Sequence, residues 1–146
     1  MKYFKEVEDG YLYITDKYAA YLKRNMQRIG KDYVNLCLEN DFFHDMVFKD
    51  FNFQLHEDGV LPAGGKHVLT MKLSNSFYDD DKDSTEFLIQ YDGVERVDFN
   101  FDSKYIETYV WGEIKRIKGF LYHEIKVDGG IIFIKAREIS AKINKI

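Results

Sequence analysis

Four histidines and their acidic neighbours are the residues in this sequence that could support acid–base or metal chemistry. His44 is followed directly by Asp45, and a carboxylate beside an imidazole can orient the ring for general base catalysis. The same pair also suits a turn, where both side chains hydrogen-bond to nearby backbone groups. His56-Glu57 and His123-Glu124 begin like a zinc motif, but valines stand where the second histidine belongs. We therefore treat His44 and Asp45 as a candidate polar site and expect no metal and no cofactor.

An acidic run follows two aromatic residues in the middle of the chain. The candidate partner-binding residues are Phe77, Tyr78, Asp79, Asp80, Asp81 and Asp83. A calcium loop would space its carboxylates similarly, but Ser84 replaces the glycine and Gln90 the closing glutamate of such a loop. Clustered carboxylates repel one another and favour solvent, so we expect an exposed loop. Charge beside aromatic contact area is typical of a surface that binds a basic protein.

Two further features have a non-catalytic interpretation. The stretch 59–67, GVLPAGGKH, is one residue off the spacing of a phosphate-binding loop, and His67 replaces the Ser or Thr that would hold magnesium. It fits a flexible hairpin loop better. The single cysteine, Cys37, lies between Leu36 and Leu38, which predicts a small buried apolar side chain and excludes an intramolecular disulfide.

The first third of the chain has helical periodicity. Thr15 or Asp16 can cap a helix that runs to Ile29, because apolar residues recur every three or four positions and Gly30 follows. A second, shorter helix is predicted from Asp32 to about Glu39.

After Asn40 the apolar residues alternate with polar ones, as in half-buried strands. The predicted strands are 51–55, 67–73, 85–91, 97–101, 107–117, 120–127 and 131–139. Asp-Gly pairs and Lys118-Gly119 supply the positive φ of tight turns between antiparallel neighbours. The pattern predicts an α+β fold: an N-terminal helix or two, then a six- to seven-stranded antiparallel meander that is curled or forms a partial barrel. We predict one domain, 1–146, with a helical part at 1–40 and the β-meander at 41–146.

Composition limits the classes of function. The chain has 146 residues, 45% of them apolar and 16% aromatic, and this length suffices for a core without disulfides or metal. Its net charge of −4 argues against nucleic acid as the main ligand. With no apolar stretch of spanning length and no signal peptide, we expect a cytoplasmic protein that does not bind membranes. The sequence leaves the oligomeric state open.

Several short motifs together resemble a known type of protein. They are His44-Asp45 before a strand, Tyr91-Asp92-Gly93-Val94 after a strand, the hairpin 122–131, and Ala136-Arg137-Glu138-Ile139 at its end. Over roughly residues 40 to 140 the chain resembles small uncharacterised bacterial cytosolic α+β proteins, some of suspected toxin-immunity type. The resemblance implies a protein partner and transfers no catalytic residues.

These observations favour a non-enzymatic partner-binding protein, such as an immunity-type inhibitor of a basic protein, acting through the acidic run and exposed aromatics. One alternative is a β-barrel or cup that binds a small apolar or aromatic molecule in its mouth. A second alternative is an enzyme that uses His44 and Asp45.

Overall fold

The computed structural model describes residues 1–54, 67–76, 82–101 and 108–144. A short hairpin of β1 (Phe4–Val7) and β2 (Gly10–Tyr13) comes first, followed by helices α1 (Thr15–Arg24), α2 (Met26–Ile29) and α3 (Lys31–Glu39). A 3-10 turn at Asp41–Phe43 leads into the main sheet. Its strands are β3 (Met46–Gln54), β4 (Val68–Ser74), β5 (Glu86–Asp92), β6 (Arg96–Phe101), β7 (Thr108–Ile117), β8 (Phe120–Val127), β9 (Gly130–Ala136) and β10 (Glu138–Asn144). None of the helices in the described part of the chain has the length and hydrophobicity of a transmembrane segment.

The eight strands of the main sheet have the order β10-β5-β4-β3-β7-β8-β9-β6, and every pair is antiparallel. β9 and β10 lie near opposite ends of this order, yet Arg137 alone separates them along the chain. The backbone N–H of Arg137 donates to the Asp92 carbonyl at 3.0 Å, and that of Glu95 donates to the Lys135 carbonyl at 2.8 Å. The sheet is therefore strongly curled, although its described strands do not close into a barrel.

The N-terminal helix is interrupted where the sequence predicted one continuous helix to Ile29. Asn25 leaves the helical conformation, with φ −108° and ψ 14°, and separates α1 from α2. Its side-chain amide and its backbone N–H both donate to the Tyr21 carbonyl, at 2.9 and 3.1 Å. A short amide side chain that competes for backbone acceptors in this way ends a helix.

The predicted turns of the C-terminal half are present. Lys118 and Gly119 have φ of 50° and 87° and join β7 to β8, as a two-residue turn with two positive φ angles requires. Gly129, with φ 83°, completes the Asp128-Gly129 turn between β8 and β9. The β8–β9 pair keeps one register throughout, and the β7–β8 pair does so from Trp111 onward, after a register shift between Tyr109 and Trp111. One face of β8 and β9 is buried in alternation, and β7 joins it from Gly112.

The helices and the N-terminal hairpin cover different parts of the sheet. α3 packs against β10 and buries Tyr33, Val34 and Cys37. The hairpin lies near Trp111 of β7, whose ring centroid is 5.3 Å from that of Tyr13. Lys126 of β8 forms an ion pair of 3.4 Å with Glu6 of β1. Both faces of β7 and β8 are thus partly covered by the first third of the chain.

The fold class is α+β with an antiparallel sheet and helices before it, as predicted, but the strand count was wrong. The described residues form ten strands rather than six or seven. The hairpin β1–β2 was missed because its residues are mostly exposed and show no strong alternation. The predicted strand 131–139 is two strands, because the chain bends at Arg137 and changes partner from β8 to β5.

Candidate functional site

An apolar concavity opens where β3 and β4 approach β6. We call it the aromatic groove, and its volume is about 460 Å³. Its apolar lining is Phe51, Phe53, Leu69, Val94, Val97 and Phe99, and His67, Glu95 and Arg96 add polar groups at its wall. The groove follows from strand alternation, since Phe51 and Phe53 lie opposite Met71 and Leu69, which are both buried. The rings of Phe51 and Phe99 meet edge to face, 6.0 Å apart, although β3 and β6 are not paired.

The phenylalanines of the groove remain half open to solvent. Phe53 is 46% exposed and Phe99 51%, whereas the Leu69 side chain below them is buried. Exposed aromatic surface in a concave site is the usual lining of a small-molecule pocket. The alternation of apolar and polar residues predicted that these rings lie on the apolar face of the sheet. It did not predict that Phe53 and Phe99 stay accessible to solvent there.

His67 supplies a polar atom to this apolar surface. Its ring lies 5.6 Å from the ring of Phe53, and its backbone carbonyl accepts a hydrogen bond of 3.0 Å from the Val94 N–H. Its Nδ1 is buried and makes no hydrogen bond within the part of the chain that the structure describes. An unpaired buried nitrogen is costly, and a bound ligand with a hydroxyl group would satisfy it.

His44 and Asp45 lie together at the start of β3, but the histidine is turned toward the backbone. His44 Nδ1 is 2.7 Å from the Val110 carbonyl, and its Nε2 is 3.4 Å from the Asp45 carboxylate. The Asp45 side chain is 74% exposed, and its backbone N–H donates to the Tyr109 carbonyl. His44 does not line the aromatic groove. This geometry fits a structural histidine, which connects the 3-10 turn to β7 through its hydrogen bond to the Val110 carbonyl.

Most of the acidic segment lies outside the described residues. This applies to Phe77, Tyr78, Asp79, Asp80 and Asp81, which belong to the segment 77–81. Lys82 and Asp83, which follow it, are exposed on a turn before β5. The proposed role of this segment in binding a partner therefore stays a prediction.

A polar cluster in the core, centred on His123, was not predicted from the sequence. His123, 1% exposed, lies among three buried tyrosines: its Nδ1 is 2.7 Å from the Tyr91 hydroxyl, and its Nε2 is 3.3 Å from that of Tyr109 and 3.4 Å from that of Tyr33. Burial lowers the pKa of His123 to about 3 and raises the pKa values of all three tyrosines well above their usual range. Each member is therefore neutral at physiological pH. The cluster is closed to solvent and forms part of the core.

Cys37 lies in the same core and is inert for the same reason. Burial raises the pKa of its thiol to about 12, which leaves negligible thiolate at neutral pH. Within residues 1–54, 67–76, 82–101 and 108–144, His, Cys, Asp and Glu form no group of three that could hold a metal ion.

The chain matches no protein-family model, no curated protein and no solved structure. The resemblance to immunity-type proteins therefore stays a prediction, and a function must be inferred from the residues themselves. In the described part of the chain, the aromatic groove combines a concave, largely apolar surface with a buried polar atom that has no hydrogen-bond partner there.

Proposed function

We propose that this protein binds a small aromatic molecule bearing a hydroxyl group in the aromatic groove, without catalysis. The observation that carries the proposal is the buried Nδ1 of His67, which hydrogen-bonds to none of the described residues, in a groove that the half-exposed rings of Phe53 and Phe99 also line. The volume of about 460 Å³ lies within the range of small-ligand pockets.

The chemistry of the lining selects the ligand class. Phenylalanine rings favour a planar aromatic ligand through edge and offset contacts. Nδ1 of an imidazole donates or accepts a hydrogen bond according to the tautomer. A hydroxyl group can pair with it in either case, because a hydroxyl both donates and accepts. A phenol-like molecule is the simplest ligand that meets both conditions.

Fluorescence titration with 2-naphthol and with naphthalene, which lacks the hydroxyl, tests the proposal. We expect the wild-type protein to prefer naphthol by about tenfold, the worth of one buried hydrogen bond. His67→Leu should abolish that preference and, by removing an unpaired polar atom, raise the free energy of unfolding by about 1 kcal/mol. Phe99→Ala should weaken both ligands by about tenfold through lost aromatic contact.

The matched control is Ile143→Ala, which removes a comparably exposed apolar side chain, at 46%, from β10. It should leave both affinities unchanged. Absence of saturable binding, or equal loss in the control and in Phe99→Ala, would refute the groove as a ligand site.

A second candidate function is the binding of a basic protein partner, including one of toxin type, through the segment 77–83. It is favoured by the exposure of Lys82 and Asp83 at the described end of that segment and by the net charge of −4. Charged groups on an interface rim act mainly on the association rate.

Converting Asp79, Asp80, Asp81 and Asp83 to Asn should leave the melting temperature unchanged or slightly raised, because the change relieves like-charge repulsion. Association with any partner recovered from the native host should slow at low salt and approach the wild-type rate at high salt. Asp128→Ala is the contrasting control, since the Asp128 carboxylate accepts a hydrogen bond of 2.9 Å from the Thr108 N–H and its loss should lower stability. Unfolding of the four-fold variant would show that the run is structural.

A further inference from the structure

A second cavity, of about 530 Å³, lies on the other face of the sheet. We call it the N-terminal cleft; it lies between residues 1–3, α1 and the strands β7 and β8. Its polar and aromatic lining includes Tyr3, Tyr21, Arg24, Glu113, Lys115 and Glu124. Glu113 and Glu124 alternate with the buried Ile114 and His123, so their carboxylates point away from the core.

Glu113 fixes one wall of the cleft. Its carboxylate accepts hydrogen bonds from the backbone N–H of Lys2 at 2.7 Å, from that of Tyr3 at 3.1 Å, and from the indole N–H of Trp111 at 2.9 Å. The Tyr18 hydroxyl accepts a further bond of 3.0 Å from the Ile114 N–H. The N-terminal segment and α1 are thus anchored to β7, and the cleft between them has a defined shape.

Glu124 is placed differently from its neighbour. It lies directly opposite Glu113 in the β7–β8 register, is half-buried, and has no hydrogen-bond or ion-pair partner among the described residues. Like charges that face each other across two strands are destabilising unless a cation offsets them. Glu113 is already satisfied by its three donors, so Glu124 is the carboxylate that a positively charged ligand group would meet.

Three side-chain cations line the same cleft, and the ammonium of one of them, Lys2, lies 5.5 Å from the centroid of the Tyr3 ring. Arg24 and Lys115 are exposed and form no ion pair with any residue that the structure describes. Tyrosine rings also line the cleft, with the centroid of Tyr3 5.9 Å from that of Tyr21. The Glu124 carboxylate, these three cations and the tyrosine rings thus line one cavity.

We propose that the N-terminal cleft binds a small zwitterion of the α-amino-acid type with an aromatic or apolar side group. The ammonium pairs with Glu124, the carboxylate pairs with Arg24 and Lys115, and the side group packs on the tyrosine rings. Ring faces attract the ammonium as well, because the aromatic quadrupole is negative on its face. The cleft shares no residue with the aromatic groove, which lies on the opposite face.

A matched set of three ligands tests this assignment by calorimetry: L-phenylalanine, phenethylamine, which lacks the carboxylate, and 3-phenylpropionate, which lacks the ammonium. We expect phenylalanine to bind at least about tenfold more tightly than either, since each lost charge-assisted bond is worth that much. Glu124→Gln should weaken phenylalanine by about tenfold and leave the already weak 3-phenylpropionate unchanged or slightly stronger. Arg24→Gln should weaken phenylalanine severalfold and leave phenethylamine nearly unchanged.

Glu39→Gln, which neutralises a glutamate at the end of α3, outside the cleft, is the control and should change nothing. Glu124→Gln removes the like-charge pair of Glu113 and Glu124, so the melting temperature of the variant should equal or exceed that of the wild type. A loss of binding in this variant then cannot be ascribed to unfolding. Equal affinities for the three ligands, no saturable binding of phenylalanine, or binding insensitive to Glu124→Gln would overturn the proposal. Because the naphthol titration uses other residues, either proposal can fail while the other stands.

Discussion

Acidification should destabilise this protein, because His123 is buried in its neutral form. An unfolded histidine binds a proton near its ordinary pKa of about 6.5, whereas burial holds the pKa of His123 at about 3. Between these values the unfolded state binds the extra proton and the folded state does not, so stability rises with pH and is lost as pH falls. The expected loss is up to about 1.4 kcal/mol per pH unit below about pH 6.

Denaturant unfolding of wild type and His123→Gln from about pH 7 to about pH 4 measures this contribution. At neutral pH the variant should be less stable by about 2 kcal/mol, because the 2.7 Å bond to the Tyr91 hydroxyl is lost or weakened. On acidification the wild type loses stability faster, so the two curves should converge and then cross.

His44→Gln is the matched control for this experiment. His44 is part-exposed and hydrogen-bonds to the Val110 carbonyl, so the variant should lose about 1 kcal/mol and keep the steep pH dependence of the wild type. Parallel stability curves for wild type and His123→Gln would show that the buried imidazole is not the group that titrates on unfolding.

Gly112→Ala should be strongly destabilising, because the core has no room for the added methyl group. A Cβ at this position would overlap the Tyr109 hydroxyl and lie 2.7 Å from His123 Nε2, inside the closed polar cluster. The ring of Tyr109 is fully buried and cannot move aside without displacing its neighbours. We expect a loss of about 3 kcal/mol or more in the free energy of unfolding, as for severe overpacking with a broken hydrogen-bond network.

A double variant identifies the cause of that loss. Tyr109→Phe removes the overlapping oxygen, so Gly112→Ala should cost less in the Tyr109→Phe background than in the wild type. Gly119→Ala is the control: its φ of 87° predicts backbone strain of about 1 kcal/mol, and a Cβ there meets no atom within 4 Å. A Gly112→Ala protein as stable as Gly119→Ala would show that the Tyr109 ring yields to the methyl group.

Secondary-structure elements that depend on short-range sequence patterns, such as turn residues and alternating apolar residues, were predictable from the sequence. The turn at Lys118-Gly119 and the strands on either side of it depend on neighbouring residues alone. The break at Asn25 and the bend at Arg137 were not predicted. Each depends on a specific hydrogen bond, from the Asn25 amide to the Tyr21 carbonyl and from the Arg137 N–H to the Asp92 carbonyl, which hydrophobic periodicity does not reveal.

The candidate sites were harder to predict, because they combine residues far apart in the chain. His123 is separated from Tyr33 by 90 positions and from Tyr91 by 32, so no motif joins them. Alternation placed Phe51, Phe53 and Phe99 on one face, yet only the three-dimensional arrangement shows that two of them stay half exposed. Glu113 and Glu124 are paired by the hairpin that the sequence did predict, but the cleft above them requires the N-terminal segment.

The bend at Arg137 also has a consequence for how the protein is made. β10 is the last strand of the described chain, and it pairs with β5 and packs against α3, elements formed about fifty and a hundred residues earlier. A nascent chain that still lacks β10 leaves the outer edge of β5 unpaired and the buried side of α3 uncovered. Native structure is complete only once β10 has paired with β5, and until then the open β5 edge is exposed to intermolecular pairing.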